Sequence, residues 1–201
     1  MSGRAASAGL DYDSEAARYD ETRGGLPRAR AAAEAVMSLV PPGGVALDVA
    51  GGTGIVSKEL AAAGFRVVVG DLSPGMLRLA AERLPGCAAV SRAERLPVRD
   101  GSVDLVTTIW LLHLLPVPVA DVVLAEAARV LRPRGHLVTT VDKDLAHGRA
   151  RRTNADHRER VAAVAARHGL GFVGGSSFAA RTKWRSAEQR QVFAVSAFRK
   201  E

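Results

Sequence analysis

From Leu47 to Ser57 the chain reads LDVAGGTGIVS, and this stretch limits the possible folds more than any other. A short, mainly apolar run, Val45 to Val49, is bounded by Pro-Pro-Gly-Gly on one side and by Gly51, Gly52 and Gly54 on the other. Such a run reads as a buried parallel strand. Ile55 to Ala63 then has helical composition and stops at Gly64, so the glycine loop lies where a first strand passes into a first helix. Sheets of this type bind ligands at that turn, through backbone N–H groups and the helix N-terminus.

The rest of the chain alternates in the same way. Arg66 to Gly70 reads as a second buried strand, Ala88 to Ser91 as a third, Val103 to Trp110 as a fourth and His136 to Val141 as a fifth. Pro74 to Leu84 reads as a helix with Ser73 as its N-cap. Val119 to Leu131 has helical spacing that Pro133 ends. Asp156 to His168 is a further helix, and Phe172 to Ala180 and Gln191 to Phe198 are extended runs with no helix between them. The pattern predicts an α/β fold with a doubly wound, mostly parallel seven-stranded sheet that ends in an antiparallel C-terminal hairpin. At 201 residues and 47% apolar content, a single domain over residues 1–201 is expected.

The loop itself discriminates between ligands. A P-loop needs Lys-Ser/Thr after its last glycine, and Gly54 is followed by Ile55 and Val56. A dinucleotide fingerprint needs Gly or Ala three residues after Gly54, and Ser57 stands there. Asp48 would repel a phosphate but suits a ligand with an ammonium group. Asp71 ends the second strand, where a carboxylate can accept both hydroxyls of a ribose. An acid near each end of one site suggests a nucleoside that carries an amino acid.

On these residues the chain resembles the class I S-adenosylmethionine (SAM)-dependent methyltransferases, in the broad group that includes the small-molecule and quinone-pathway enzymes. LDVAGGTG resembles the first motif of that family, and VVVGDLSPGML its ribose-binding strand and helix. AERLPVRDGSVDLVTTIWLLHLL resembles the adenine and fourth-strand region, and EAARVLRPRGHLVTT the helix and strand that follow. ARYDETRG is similar to a segment that often folds over the cofactor. The resemblance runs from about Tyr12 to Val141; the remaining C-terminal residues match in layout only.

It implies a Rossmann-like methyltransferase fold and a SAM cofactor with no metal; the lone Cys87 and the lack of an apolar export signal lead to the expectation of a cytoplasmic enzyme. Residues 1–30 would form a lid, 43–141 the cofactor-binding core, and 142–201 a basic C-terminal part of the same domain. Gly52 and Gly54 would let the backbone approach the methionine part, and Asp48 would reach its amino group, directly or through water. Asp71 would hold the ribose, Leu72 would flank the adenine, and Ala93 would offer its backbone near the ring. Tyr19 would roof the cleft that receives the methyl group. Each has a plainer reading: Asp48 as a cap of the loop, Asp71 as a turn residue, Tyr19 as packing. Three positions depart from the family pattern. Ala50 replaces the usual first glycine, as in quinone-pathway members. Arg92 stands where an acid often accepts the adenine amino group, a bond arginine cannot accept. Arg134 replaces the first glycine of a Pro-Gly-Gly turn.

Methyl transfer is an in-line displacement, so alignment and exclusion of water are the protein's main tasks, and orientation is worth on the order of 7–11 kcal/mol in favourable cases. A base is needed only where the acceptor must lose a proton early. His113, just past the fourth strand, is the candidate base, with pocket lining as its other reading; Trp110 reads as a pocket wall. His147, Arg149, Arg151 and Arg152 follow the fifth strand on the same edge and would suit an anionic acceptor. The segment from Lys143 to Glu201 holds 13 Lys/Arg against 5 Asp/Glu, which leaves residues 1–142 at −1 of the whole chain's +7. That field favours anionic partners, while 4% aromatic content argues against a base-stacking nucleic-acid platform.

The expected activity is therefore methylation at O or N of a small metabolite, such as a natural-product intermediate. The alternatives are methylation of a peptide, protein or RNA through the basic face, or a SAM-binding partner subunit without activity of its own. Cys87 is a lone cysteine, Met1 to Asp20 lacks an apolar export signal, and the apolar region from Val103 to Ala120 is broken by Asp104, His113, Pro116 and Pro118. No membrane association is expected. Only about a dozen residues separate Val141 from the next helix, so a lid must come from residues 1–30, from 142–154, or from the second subunit of a homodimer.

Overall fold

The computed structural model describes residues 11–148, 153–180 and 191–201. Its strands are β1 (Val45–Val49), β2 (Arg66–Asp71), β3 (Ala88–Val90), β4 (Val103–Thr108), β5 (Leu131–Val141), β6 (Leu170–Ala180) and β7 (Gln191–Lys200). They form one sheet in the order β3-β2-β1-β4-β5-β7-β6. The pairings from β3 through to β5 are parallel, whereas β7 lies antiparallel to both β5 and β6. The C-terminal strands are thus antiparallel neighbours, as expected, and β7 is inserted between β5 and β6.

Seven helices accompany these strands among the described residues: α1 (Tyr12–Thr22), α2 (Gly25–Met37), α3 (Ile55–Ala62), α4 (Pro74–Arg83), α5 (Val117–Val130), α6 (Lys143–Ala146) and α7 (Arg158–Arg167). Because strand side chains alternate between faces, consecutive residues serve opposite cores. Ala46 and Leu105 point toward α2 and α3, while Leu47 and Val106 point toward α5 and α7. Ser73 caps α4 as its sequence suggested, accepting from Met76 N at 3.1 Å, with Pro74 in the first turn.

Three details differ from the sequence expectation. β2 reads as a buried strand, yet Arg66 and Val68 are exposed, because α3 and α4 both lie on its other face. β5 starts at Leu131 rather than His136, since Leu131 pairs with Val103 and an irregularity follows before Leu105 meets His136. α2 carries no capping side chain or strong punctuation, but its Ala29, Ala32, Ala33 and Val36 are all buried against the sheet. No described helix is long and apolar enough to cross a membrane.

Candidate active site

Chain order reverses between β1 and β4, which lie side by side. Ligands of such sheets bind outside the C-terminal strand ends at this switch point. Backbone geometry marks the same edge. Four non-glycine residues have positive φ among the described ones, and three of them, Ala50, Trp110 and Asp142, lie just past the ends of β1, β4 and β5. Backbone held this way costs on the order of 1–3 kcal/mol per residue and tends to gather at functional sites.

The loop after β1 is shaped by close approach. A Cβ on Gly54 would lie 3.1 Å from Ala80 Cβ of α4, and one on Gly51 would lie 2.8 Å from Asp48 Oδ2. Gly52 and Gly54 also hold φ at +57° and +69°, a region glycine enters without penalty. Asp48 is buried, with Oδ2 accepting from Ser57 Oγ at 2.5 Å and Oδ1 from Thr107 Oγ1 at 2.7 Å. It therefore ties β1 to α3 and β4. Burial pushes its carboxyl above the ordinary value, and the two hydroxyls oppose that shift.

Asp71 ends β2 beside this loop. Its Oδ2 accepts from Gly52 N at 2.9 Å and its Oδ1 from Ser73 N at 2.9 Å. Leu72, next to it, is 54% exposed and presents an apolar face at the site edge. Ala93 packs against the α5 side of the sheet, and Arg92 pairs with Glu94 at 3.5 Å on the surface.

Helix α1 lies across this edge and is fastened at two points. Asp13 Oδ1 accepts from Ser73 Oγ at 2.6 Å and from Gly75 N at 2.8 Å. Asp20 Oδ1 accepts from Thr53 Oγ1 at 2.6 Å, and its Oδ2 pairs with Arg83 Nη2 at 2.5 Å. Arg83 also donates to the Thr53 carbonyl, so α1, α4 and the glycine loop are held together. Tyr19 lies 6.0 Å from Tyr12 between ring centroids, and burial raises the pKa of both phenols.

Beneath α1, a cleft of about 30 Å³ is lined by Tyr19, Arg28, Ile55 and Trp110, among others. Asp48, Ala50, Gly52, Gly54, Asp71 and Leu72 are thus gathered around one loop, and Tyr19 is one of the residues that line the adjoining cleft. His113 is not among the walls of that cleft. It is buried in a short 3-10 turn past β4, and its Nε2 lies 2.5 Å from Lys143 Nζ. The His147 ring packs 5.8 Å from Phe193, and Arg149, Arg151 and Arg152 lie outside the described residues. Arg28 is a wall that sequence reasoning missed. Its only signal was position: it falls one residue before Ala29 and four before Ala32, on the buried stripe of an alanine-rich helix. Among the described residues no group of three or more His, Cys, Asp or Glu could hold a metal.

The donor set fits SAM: a carboxylate at β1 for an ammonium group, one at β2 for a ribose, an apolar side chain beside it for a base, and a loop open to close approach. Residues 47–139 match the family model described as a methyltransferase domain. A demethylmenaquinone methyltransferase of Beutenbergia cavernae is 41% identical over 134 residues, covering 63% of this chain and 54% of the relative. The ubiquinone/menaquinone biosynthesis C-methyltransferase UbiE of Acidiphilium cryptum is 38% identical, covering 62% and 54% respectively. The chain spans about half the length of these curated relatives. In fold it is similar to a possible histamine N-methyltransferase of Thermotoga maritima, with TM-score 0.69, 17% identity, and 94% of this chain and 98% of that one covered. The loop, the sheet order and these likenesses agree: residues 47–139 carry the match to a methyltransferase domain, the fold is that of SAM-dependent methyltransferases, and quinone-pathway methyltransferases are among the chain's relatives.

Proposed function

We propose that the chain transfers a methyl group from SAM to a small molecule. The observation that carries this reading is the pair of carboxylates, Asp48 and Asp71, set at the ends of adjacent parallel strands on either side of the glycine loop. Bound SAM supplies a methyl group on a positively charged sulfur, open to in-line displacement. Asp48, buried and short of compensating charge, attracts the ammonium group. Asp71 exchanges its backbone partners for ribose hydroxyls, Leu72 covers the base, and Ala93 offers its backbone beside it. Gly52 and Gly54 bring main chain against the methionine part, and Ala50 completes the turn. Tyr19, carried by the fastened α1, keeps water from the reacting centre.

His113 and Lys143 stand past β4 and β5, on the acceptor side. At 2.5 Å one of these two nitrogens donates to the other, and with amine and imidazole both neutral the pair can take up one proton and share it. That suits an acceptor hydroxyl or amine. It also suits a ring carbon made nucleophilic when a neighbouring hydroxyl loses its proton, the reading favoured by relatives named for quinone methylation. Purified full-length protein is tested by S-adenosylhomocysteine (SAH) release with phenols, amines and reduced quinones. Asp71→Ala is expected to weaken SAH binding about tenfold or more by calorimetry, since charged hydrogen bonds are worth roughly 1.5–3 kcal/mol each. Unchanged SAH affinity in the variant, or tighter binding of NAD than of SAM by the wild type, overturns the assignment.

A further inference from the structure

β6 stands at one end of the sheet, with β7 on its inner side and no described strand on its outer side. An edge exposed in this way offers unpaired N–H and C=O groups to any other strand, and proteins commonly guard such edges with charges, proline or short length. The opposite edge follows that rule, since β3 has three residues and is followed by Ser91 and Arg92. β6 does not. It runs for 11 residues, LGFVGGSSFAA, without one charged residue or proline, in a chain that is 24% charged. Its irregularity falls at Val173, between the Phe172 and Gly174 pairings, and leaves 174–180 in regular register with β7.

The two faces of this strand differ. On one, the end of α2 packs down: Ser38 Oγ donates to Ser176 Oγ at 3.2 Å, and a Cβ on Gly174 would lie 3.4 Å from Leu39 Cδ2. On the other, a groove of about 570 Å³ opens beside α7, lined by Gly175, Ser177 and Ser196 with Phe172 and Phe198. Phe172 is 61% exposed and Val173 47%. In a two-fold contact a strand meets its own copy, so any charge on it would face its own sign across the interface. An uncharged strand escapes that repulsion and offers an acidic or basic partner nothing to pair with. At about 3.3 Å per residue the strand is about 36 Å long, and with the end of α2 and the groove face beside it the strip is about 20 Å wide. Each copy would then bury roughly 700 Å², close to the ~800 Å² per partner of a stable complex.

We propose that β6 is the contact edge of a homodimer, in which two copies pair β6 to β6 antiparallel about a two-fold axis and join their sheets into one. The edge lies four strands from β1, about 19 Å away at ~4.8 Å per strand, so the partner leaves the glycine loop to α1. Light scattering on the purified full chain at about 100 µM should give twice the chain mass, falling toward the chain mass on dilution. Val173→Lys combined with Ser177→Lys places like charges across the axis and is expected to weaken association about tenfold or more, with the circular dichroism spectrum unchanged. Ser177→Thr, uncharged and strand-forming, should remain dimeric. Amide exchange on the wild type needs no variant: β6 amides should exchange more slowly in concentrated than in dilute protein. A chain that is monomeric at about 100 µM, a dimer that the two lysines leave intact, or a dimer whose β6 exchange is independent of concentration overturns the proposal.

Discussion

Asp48 is structural and, in the proposed reading, also holds the ammonium group of the cofactor. Its hydroxyl partners hold three elements together, yet burial raises its pKa, so the charged form is carried at a cost that a bound ammonium group would offset. Asp48→Asn should therefore lose cofactor affinity without losing the fold. The sign of its pH dependence follows from the raised pKa. The burial penalty on the wild type is full above the folded-state pKa and fades as pH falls toward the ordinary 3.8. The stability gain of the asparagine variant over the wild type, measured by urea unfolding, should thus be largest near neutrality and narrow with acid; a gain that grows with acid contradicts the assignment. Arg134, at the far edge of the sheet, holds φ at +68° where the family pattern has glycine. Arg134→Gly should raise stability by about 1 kcal/mol, or roughly 2–4 °C in Tm, because the left-handed region penalises a side chain. At this scale the acids were legible from their places after apolar runs. Arg28 was not, because nothing local separates a buried arginine from the many solvated ones.

Among the elements, α1 carries the most consequence for turnover. It is fastened by Asp13 to the start of α4 and by Asp20 to Arg83 and the glycine loop, so α1 lifts from the sheet edge only when both ties open. Hydrogen bonds from Ser73 and Gly75 hold the Asp13 carboxyl below its ordinary value. That contribution is present above the unfolded pKa and is lost as pH falls through the lowered one. Deleting residues 1–22 should leave the sheet folded by circular dichroism while turnover collapses and SAH dissociates faster in stopped-flow; a truncated chain with full turnover would reduce α1 to a tail. Asp20→Asn should give a milder form of the same acceleration. The sequence offered a lid as a resemblance, through ARYDETRG. Its fastening lay beyond reach, because Asp13, Asp20, Thr53, Ser73 and Arg83 are far apart in the chain and meet only when α1 crosses the sheet edge.

For the molecule as a whole, the order of the last strands decides cooperativity. β7 pairs with β5 along His136 to Val141 and with β6 along Leu170 to Ala180, so the final residues lie inside the sheet rather than at its edge. Phe193, Val195 and Ala197 join one core and Phe198 the other. Removing residues 181–201 should therefore abolish cooperative thermal unfolding, whereas the intact chain should unfold in one transition if residues 1–201 form a single domain. Survival of a sharp transition in the truncated chain would mean that β1 to β5 fold without their antiparallel neighbours. The sequence by itself determined the alternation of strands and helices, the glycine loop, the cap at Ser73 and the two acids, since each rests on periodicity, turn chemistry or spacing within a few residues. Only the tertiary structure decided that β7 enters between β5 and β6, that β2 covers just one face, that α1 is tied down at two points and that Arg28 lies buried against Trp110. Those features depend on contacts between distant segments, whose energies arise only once the two cores have closed around the sheet.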